Sequence, residues 1–349
     1  MKKPFRNALA FVAAPLLTVT SLPAAADLVV LQYHHISSQT PASTSTTPDL
    51  FRSQLAMLEK LDIPVKPLQA ATEQALSGKT GSTPVAALTF DDAYSSVYDT
   101  AAPILLEAGI PFTVFVNSQA ITEKRHGYMT WDQLKDLARH PEVTIGNHSA
   151  DHAHLVRRPD ETEDAWHRRV TASLDDAQET IEAKLGTDAP LFAYPYGEFD
   201  AEVETLVKQR GWYGYGQHSG PIGPSSGDTR LPRFPMANAY GGTDGLKDKL
   251  LSETLPVDAN TLPDGTLKQN PPVLHLTLPD GMKPGPLTCY GSQVGQLSVT
   301  PTGDGQTVEV VADRSFNSRR FRYNCTYPAG NGRFYWQSVQ WLDLSQAED

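Results

Sequence analysis

With 349 residues, 40% of them apolar and 20% charged, the chain is long enough for one large domain or two ordinary ones. Its 40 acidic against 29 basic side chains give a formal net charge of −11, which disfavours nucleic acid and anionic membranes as partners. Past residue 26 no stretch is long and apolar enough to span a bilayer.

The chain opens with a basic start (Lys2, Lys3, Arg6), then an apolar run broken by Pro15, then Ala24-Ala25-Ala26. This order predicts a secretory signal peptide over residues 1–26, cleaved after Ala26; the short apolar core and small-residue exit favour it over a membrane anchor. No cysteine follows the cut, so no lipid is attached there. The mature protein is expected to be exported, periplasmic or secreted, and loss of the three leader cations takes the balance from −11 to −14.

Residues 27–255 alternate short apolar strands with helical stretches. "LVVLQY" reads as a strand, and "PDLFRSQLAMLEKL" has helical spacing at Phe51, Leu55, Leu58 and Leu61. "VAALTF", "PFTVFV", "VTIGN", "LFAYP" and "WYGYG" continue the strand series, separated by "YDTAAPILLEAG", "TWDQLKDLARH" and "AEVETLVKQRG" as helices. The longest helix is expected from about Asp160 to Leu185, with Trp166, Val170, Leu174, Ala177, Ile181 and Leu185 on one stripe. About seven strands in such a rhythm predict an α/β domain with a parallel sheet or barrel and its chemistry on the loops after the strands.

From 256 to 272 the composition turns to Pro, Gly, Asn and Asp, the texture of a linker. Residues 273–349 carry only β signals and predict a small C-terminal β-sandwich domain, with a hairpin turn at Thr302-Gly303-Asp304-Gly305. Phe321, Tyr323, Cys325 and Tyr327 alternate with polar residues, as in a half-buried strand. Cys289 and Cys325 are the only cysteines, and an even pair in an exported chain predicts a disulfide bond. In "RFYWQSVQWL", Tyr335, Val339 and Trp341 are the expected core face. Trp336 shares the other face with Ser338 and Gln340 and is either a sugar platform or the contact of a structural cap with the barrel.

Three strand ends carry the chemistry. Asp91 and Asp92 follow "ALTF", His148, Asp151, His152 and His154 follow "VTIGN", and Tyr194, Pro195 and Tyr196 follow "LFA". In a parallel α/β structure these carboxyl-end loops converge on one face. Two imidazoles four residues apart and a carboxylate from another strand make a three-ligand divalent metal site with open positions. A cation also explains the paired aspartates, since it stabilises one as a ligand and leaves the other ionised beside it. Zinc suits such donors, and cobalt, nickel or iron fit the same set.

"TFDDAYSS", "GNHSADHAHL" and "FAYPYGEFD" resemble the first three sequence blocks of the polysaccharide deacetylases, carbohydrate esterase family 4, over about residues 28–240. "LQYHHIS" and "LPRFPM" look most like the branch acting on poly-β-1,6-N-acetylglucosamine. The resemblance implies a distorted (β/α)7 barrel, Asp91 as general base, and Asp92, His148 and His152 as ligands of a divalent metal. It also implies an acetylated polysaccharide substrate in a groove lined by Tyr194, Pro195 and Tyr196, with a backbone N–H near Tyr196 as an oxyanion donor.

Two departures from the family pattern stand out. The third block has no arginine to orient the base; Arg233, in "RLPRFP", either takes that place from another strand or is a structural arginine. The family's late Leu-x-His block, the source of a general acid, is not apparent: His275 falls in the β-sandwich, and His218, in "GYGQHSG", is the better candidate, an ordinary loop histidine being its alternative. His34 and His35 read as structural, with one of them facing the groove as the alternative. His154 is a second-choice ligand to His152, and Asp151 reads as a solvated loop residue. Tyr196, Trp212 and Tyr215 are candidates for stacking on sugar rings or for packing. The expected function is metal-dependent removal of acetyl groups from an N-acetylated glycan. The alternatives are an O-acetyl esterase of the xylan type and a glycan-binding protein with weakened turnover.

Overall fold

The computed structural model describes residues 27–79, 81 and 83–348, so the signal-peptide reading of residues 1–26 lies outside the described residues. Seven parallel strands form its centre: β1 (Leu28–Tyr33), β2 (Val85–Phe90), β3 (Phe112–Val116), β4 (Val143–Asn147), β5 (Leu191–Ala193), β6 (Tyr213–Tyr215) and β7 (Phe234–Pro235). They lie in the order β6-β5-β4-β3-β2-β1-β7. Every residue of β1 and of β3 is buried, which accounts for runs of apolar residues without alternation: both faces of the sheet are covered. The sheet also closes on itself. Leu231 donates its N–H to the Gly214 carbonyl at 2.8 Å and accepts from the Gly216 N–H at 2.9 Å, and three residues later Phe234 pairs with Leu31. Residues 231–235 therefore join β6 to β1 and complete a distorted (β/α)7 barrel.

Local capping fixes the ends of two of the larger helices. The helix Pro48–Lys60 starts with proline, and the Thr47 side chain accepts from the Leu50 N–H. Glu163–Leu185 buries Trp166, Val170, Leu174, Ala177 and Ile181 on one stripe and stops at Gly186, whose φ of 70° is the left-handed cap that glycine adopts without a Cβ penalty.

The C-terminal strands are β8 (Glu253–Thr254), β9 (Leu274–Thr277), β10 (Thr288–Gly291), β11 (Gly295–Gln296), β12 (Ser298–Pro301), β13 (Thr307–Val311), β14 (Arg320–Gly330) and β15 (Arg333–Leu342). They form a five-stranded sheet, β8-β15-β14-β10-β11, and a three-stranded sheet, β9-β13-β12. The two share one core, with Leu274, Leu276, Val308, Val310, Phe321, Tyr323 and Trp341 among its members. Asp304 holds the β12–β13 turn by accepting from the Thr302 hydroxyl and from the N–H groups of Gln306 and Thr307. Cys289 and Cys325 stand opposite each other on β10 and β14 and are joined by a disulfide.

Two expectations about the junction need correction. Glu253 and Thr254, assigned to the barrel domain by sequence, pair with Tyr335 and Trp336 and extend the C-terminal sheet. Residues 256–272 are no loose linker. Val257 is part of the C-terminal core, Leu262 and Leu267 pack on it, and Leu267 donates to the Leu342 carbonyl at 2.8 Å. Turn-forming composition hid four apolar anchors at wide spacing, Leu255 being the fourth.

One face of β15 completes the sandwich core, and the other meets the barrel. Trp336 lies edge-on to Phe234 at 5.2 Å, Ser338 is buried, and Gln340 Nε2 donates to the Phe199 carbonyl at 2.9 Å. Trp336 is thus an interface residue and not an exposed sugar platform.

Candidate metal centre and catalytic face

β2 runs straight into Asp91 and Asp92, and β4 into His148. These strands flank β3, whose end carries Asn117 between them. Asp92 Oδ1 lies 3.5 Å from His148 Nε2 and 3.2 Å from His152 Nε2, and it accepts from Asn117 Nδ2 at 3.3 Å. One donor atom from each of Asp92, His148 and His152 falls within 4.8 Å of the others. Five of the nine non-glycine residues with positive φ among the described residues gather on these loops: Asp92 (70°), Ala93 (55°), Ser149 (65°), His152 (55°) and Tyr196 (58°). Such backbone costs on the order of 1–2 kcal/mol per residue and persists only where surrounding structure enforces it. Here the Asn147 side chain accepts from the Ser149 N–H and the Ser149 hydroxyl from the His152 N–H.

The donor set suits a divalent cation. His148 Nδ1 is 2.7 Å from the Ala193 carbonyl, and since a carbonyl only accepts, Nδ1 is the donor there and Nε2 is the atom turned to Asp92. Burial, followed by the neighbouring His148, lowers the His152 pKa to about 4, so that ring is neutral near pH 7. One carboxylate and two imidazoles are the ligand chemistry of zinc and its neighbours.

Asp91 is fully buried. Arg233 grips it in a two-pronged pair, Nη1 to Oδ1 at 2.7 Å and Nη2 to Oδ2 at 2.8 Å. The Gln32 amide adds a third hydrogen bond, to Oδ2 at 2.7 Å. Arg233 is itself fully buried and is held by the Gly216 carbonyl at 2.9 Å and the Thr89 hydroxyl at 3.2 Å. Burial alone would raise the Asp91 pKa, but the Arg233 charge outweighs it and keeps the carboxyl well below the usual range.

A profile of the polysaccharide deacetylase family matches residues 78–215, a span that takes in both aspartates and both histidines of this cluster. The chain carries a polysaccharide deacetylase domain. YxkH of Bacillus subtilis (strain 168), named for the same family, is 24% identical over 187 residues; the match covers 54% of this chain and 63% of that protein's length. A poly-beta-1,6-N-acetyl-D-glucosamine N-deacetylase of Staphylococcus aureus is 23% identical over 211 residues, 59% of this chain and 72% of its own. Among solved structures, a de-N-acetylase from Aggregatibacter actinomycetemcomitans superposes with a TM-score of 0.56 at 20% identity, over 64% of this chain and 99% of the other. At that identity the likeness speaks for the fold.

Within the deacetylase domain, a cleft of about 220 Å³ opens beside the cluster, lined by Asp92, Tyr94, Asn117, Arg125, Tyr128, Asp151, His152 and Tyr196 among others. Of the third-block residues expected there, only Tyr196 lines it. Tyr194 is fully buried among Phe192 and Phe199, with its hydroxyl on the Thr229 carbonyl at 2.7 Å, and Pro195 is buried too. Both are packing residues and not groove residues. His218 is not brought to the cluster either. Its ring packs on Phe199 at 5.6 Å and lines an enclosed space between the barrel and β15, with Trp336 and Ser338. Burial, followed by the charges of Arg322 and Arg230, lowers its pKa to about 3, which removes it as a proton donor. His154 is not a ligand: its Nδ1 lies 2.8 Å from Glu198 and its ring stacks on Tyr196 at 4.0 Å. Trp212 stacks on Phe192 and Tyr215 packs near Phe115, so both belong to the core.

Of the two early histidines, His35 stacks on Tyr94 at 3.6 Å, while His34 reaches the site, with Nε2 4.0 Å from Asp91 Oδ2. Gln32, Asn117, Tyr94, Tyr128 and Arg125 were not anticipated. For Gln32 a signal was present: it is the only amide in an otherwise apolar, wholly buried strand, where an unpaired side chain would be costly.

Proposed function

We propose that this protein is a metal-dependent hydrolase that removes acetyl groups from an N-acetylated polysaccharide, an N-acetylglucosamine polymer. The observation that carries the reading is a buried, arginine-held carboxylate directly beside two imidazoles and a second carboxylate. The named Staphylococcus relative supports the substrate class. The basic-apolar-small start and the paired cysteines support an exported protein.

Asp92, His148 and His152 would hold the cation. When bound, it would supply Lewis acidity, making a water more acidic and polarising the acetyl carbonyl. A carboxylate offers about four lone-pair sites; Arg233 and Gln32 occupy three of those on Asp91, and one on Oδ1 is left to take the proton of the attacking water. Arg233 keeps Asp91 ionised and in one orientation, so no rearrangement is needed as the proton arrives. As the water oxygen bonds to the acetyl carbon, the C–N bond breaks and the sugar nitrogen must gain a proton. His34, beside Asp91 and partly open to solvent, is the group placed to give it. Acetate and a free amine leave.

The weakened-enzyme alternative rested on a missing arginine and an unassigned acid, and Arg233 on Asp91 argues against the first of these grounds. The decisive experiment is acetate release from N-acetylglucosamine oligomers, acetylated xylan and peptidoglycan, with and without chelator. Release from the oligomers that stops with chelator and returns with zinc is the expected result. Release from xylan alone would move the reading to O-acetyl esters, and binding without release would end it.

A further inference from the structure

The family match stops at residue 215, yet two arginines from the start of the C-terminal strand β14 reach the deacetylase face. Arg319 pairs with Glu198 through Nε at 2.9 Å and Nη2 at 3.1 Å, and Arg320 adds Nη1 at 2.9 Å. Glu198 is fully buried and also meets His154 Nδ1 at 2.8 Å. Burial would raise its pKa, but the bonds from His154, Arg319 and Arg320 prevail and lower it to about 2. As an ionised carboxylate it only accepts, so His154 is the donor. The His154 ring lies parallel to Tyr196, 4.0 Å away and 2° from coplanar, and the Arg320 guanidinium lies over the same tyrosine at 5.3 Å. Tyr196 in turn stands edge-on to the metal-ligand candidate His152 at 4.6 Å and lines the cleft.

Tyr196 holds a left-handed backbone, φ 58°, which a bulky residue does not adopt unaided. Its neighbours on the deacetylase side do not enforce it alone, because a buried Glu198 left with His154 as its one charged-group partner would be poorly compensated for its desolvation. The two arginines supply that compensation. We propose that Arg319 and Arg320 are positioning residues of the deacetylase site: acting through Glu198 and His154, they fix Tyr196 against His152 and so shape the cleft. The C-terminal β unit would then be part of the working enzyme. This rests on the function proposed above, but only in its kinetic consequence.

The test uses the full chain carrying Arg319→Ala and Arg320→Ala together. Hydrogen exchange is read at Gly197 and Glu198, whose N–H groups donate to Tyr194 and Pro195; zinc affinity is read by chelator competition, and kcat and KM by acetate release. We expect exchange at those two amides to quicken at least about 10-fold, with the helix Pro48–Lys60 unchanged. Zinc affinity should fall about 10-fold, as on loss of a supporting shell, and kcat/KM by a similar factor. Arg320→Lys alone, which keeps a cation on Glu198 and Tyr196, should restore most of each. If the double variant does not fold, the same readings on Glu198→Gln replace it. Wild-type exchange and zinc affinity in the folded variant, or in Glu198→Gln, overturn the proposal. If the wild-type protein releases no acetate from any glycan, the functional reading fails, while exchange and zinc affinity still decide this one.

Discussion

Replacing Arg233 with lysine isolates the geometry of the guanidinium from its charge. Arg233 makes four hydrogen bonds from a fully buried position, two of them to separate oxygens of Asp91. An ammonium on a shorter stem reaches one of those oxygens at best, so at least one charge-assisted bond, worth about 1.5–3 kcal/mol, is lost. The lost bond also held the base in place, so its loss falls on the transition state. At 1.36 kcal/mol per decade this amounts to a fall in kcat/KM of about 10- to 150-fold. Gln32 still holds Oδ2, which keeps Asp91 from swinging away and sets the upper bound. The assay is acetate release on samples whose zinc content and thermal unfolding are measured together, so that loss of metal or of fold is seen separately. A folded, metal-loaded Arg233→Lys variant within about 3-fold of the wild-type rate would refute orientation of the base by the guanidinium fork.

Asp91→Asn keeps the volume but cannot take a proton from water; kcat should fall by about 10²–10⁴ with metal retained, and a near-wild-type rate would transfer the role elsewhere. His148→Ala removes one donor nitrogen and should abolish stoichiometric zinc binding with the circular dichroism unchanged; full metal occupancy would disprove the site as drawn. Asp200, the N-cap of the helix Ala201–Gln209, has its pKa pushed up from 3.8 to about 6 by burial first, with the charges of Glu202 and Asp264 adding to the rise and the hydrogen bond from the Val203 N–H opposing it. A folded pKa above the unfolded one means stability present below about pH 4 and lost as pH rises through 6, up to about 3 kcal/mol. Asparagine caps equally well, so Asp200→Asn should raise Tm at pH 7.5 and leave it unchanged at pH 4; equal shifts at both pH values would refute the linkage.

The strands of the barrel were legible because parallel strands buried on both faces write themselves as unbroken apolar runs. The cluster of Asp92, His148 and His152 was legible because its carboxylate and imidazoles sit at strand ends in dense, polar blocks. Direction was not legible. Tyr194 and Tyr196 are two residues apart in one block, yet one turns into the core and the other into the cleft, because the left-handed backbone at Tyr196 breaks the alternation a strand would impose. His218 follows a barrel strand as a site residue would, and only the packing of β15 shows that its side of the loop is covered. Residues 256–272 carry the amino acids of turns, and turn propensity does not report that Val257 is buried and that Leu262 and Leu267 pack on the same core. The dependence of Glu198 on Arg319 and Arg320 spans 121 and 122 residues, beyond the reach of any local pattern.

The seam of the barrel and the arginine that holds Asp91 occupy the same five residues. Leu231 joins one edge, Phe234 joins the other, and Arg233 between them reaches Asp91. The Phe234–Leu31 pairing joins residues about 200 apart in sequence, and such long-range pairings are costly to close, so a refolding chain is expected to form its helices before Arg233 is brought to Asp91. Regain of activity should lag regain of helical signal and coincide with closure of the ring, which makes the enzyme a reporter of its own final folding step.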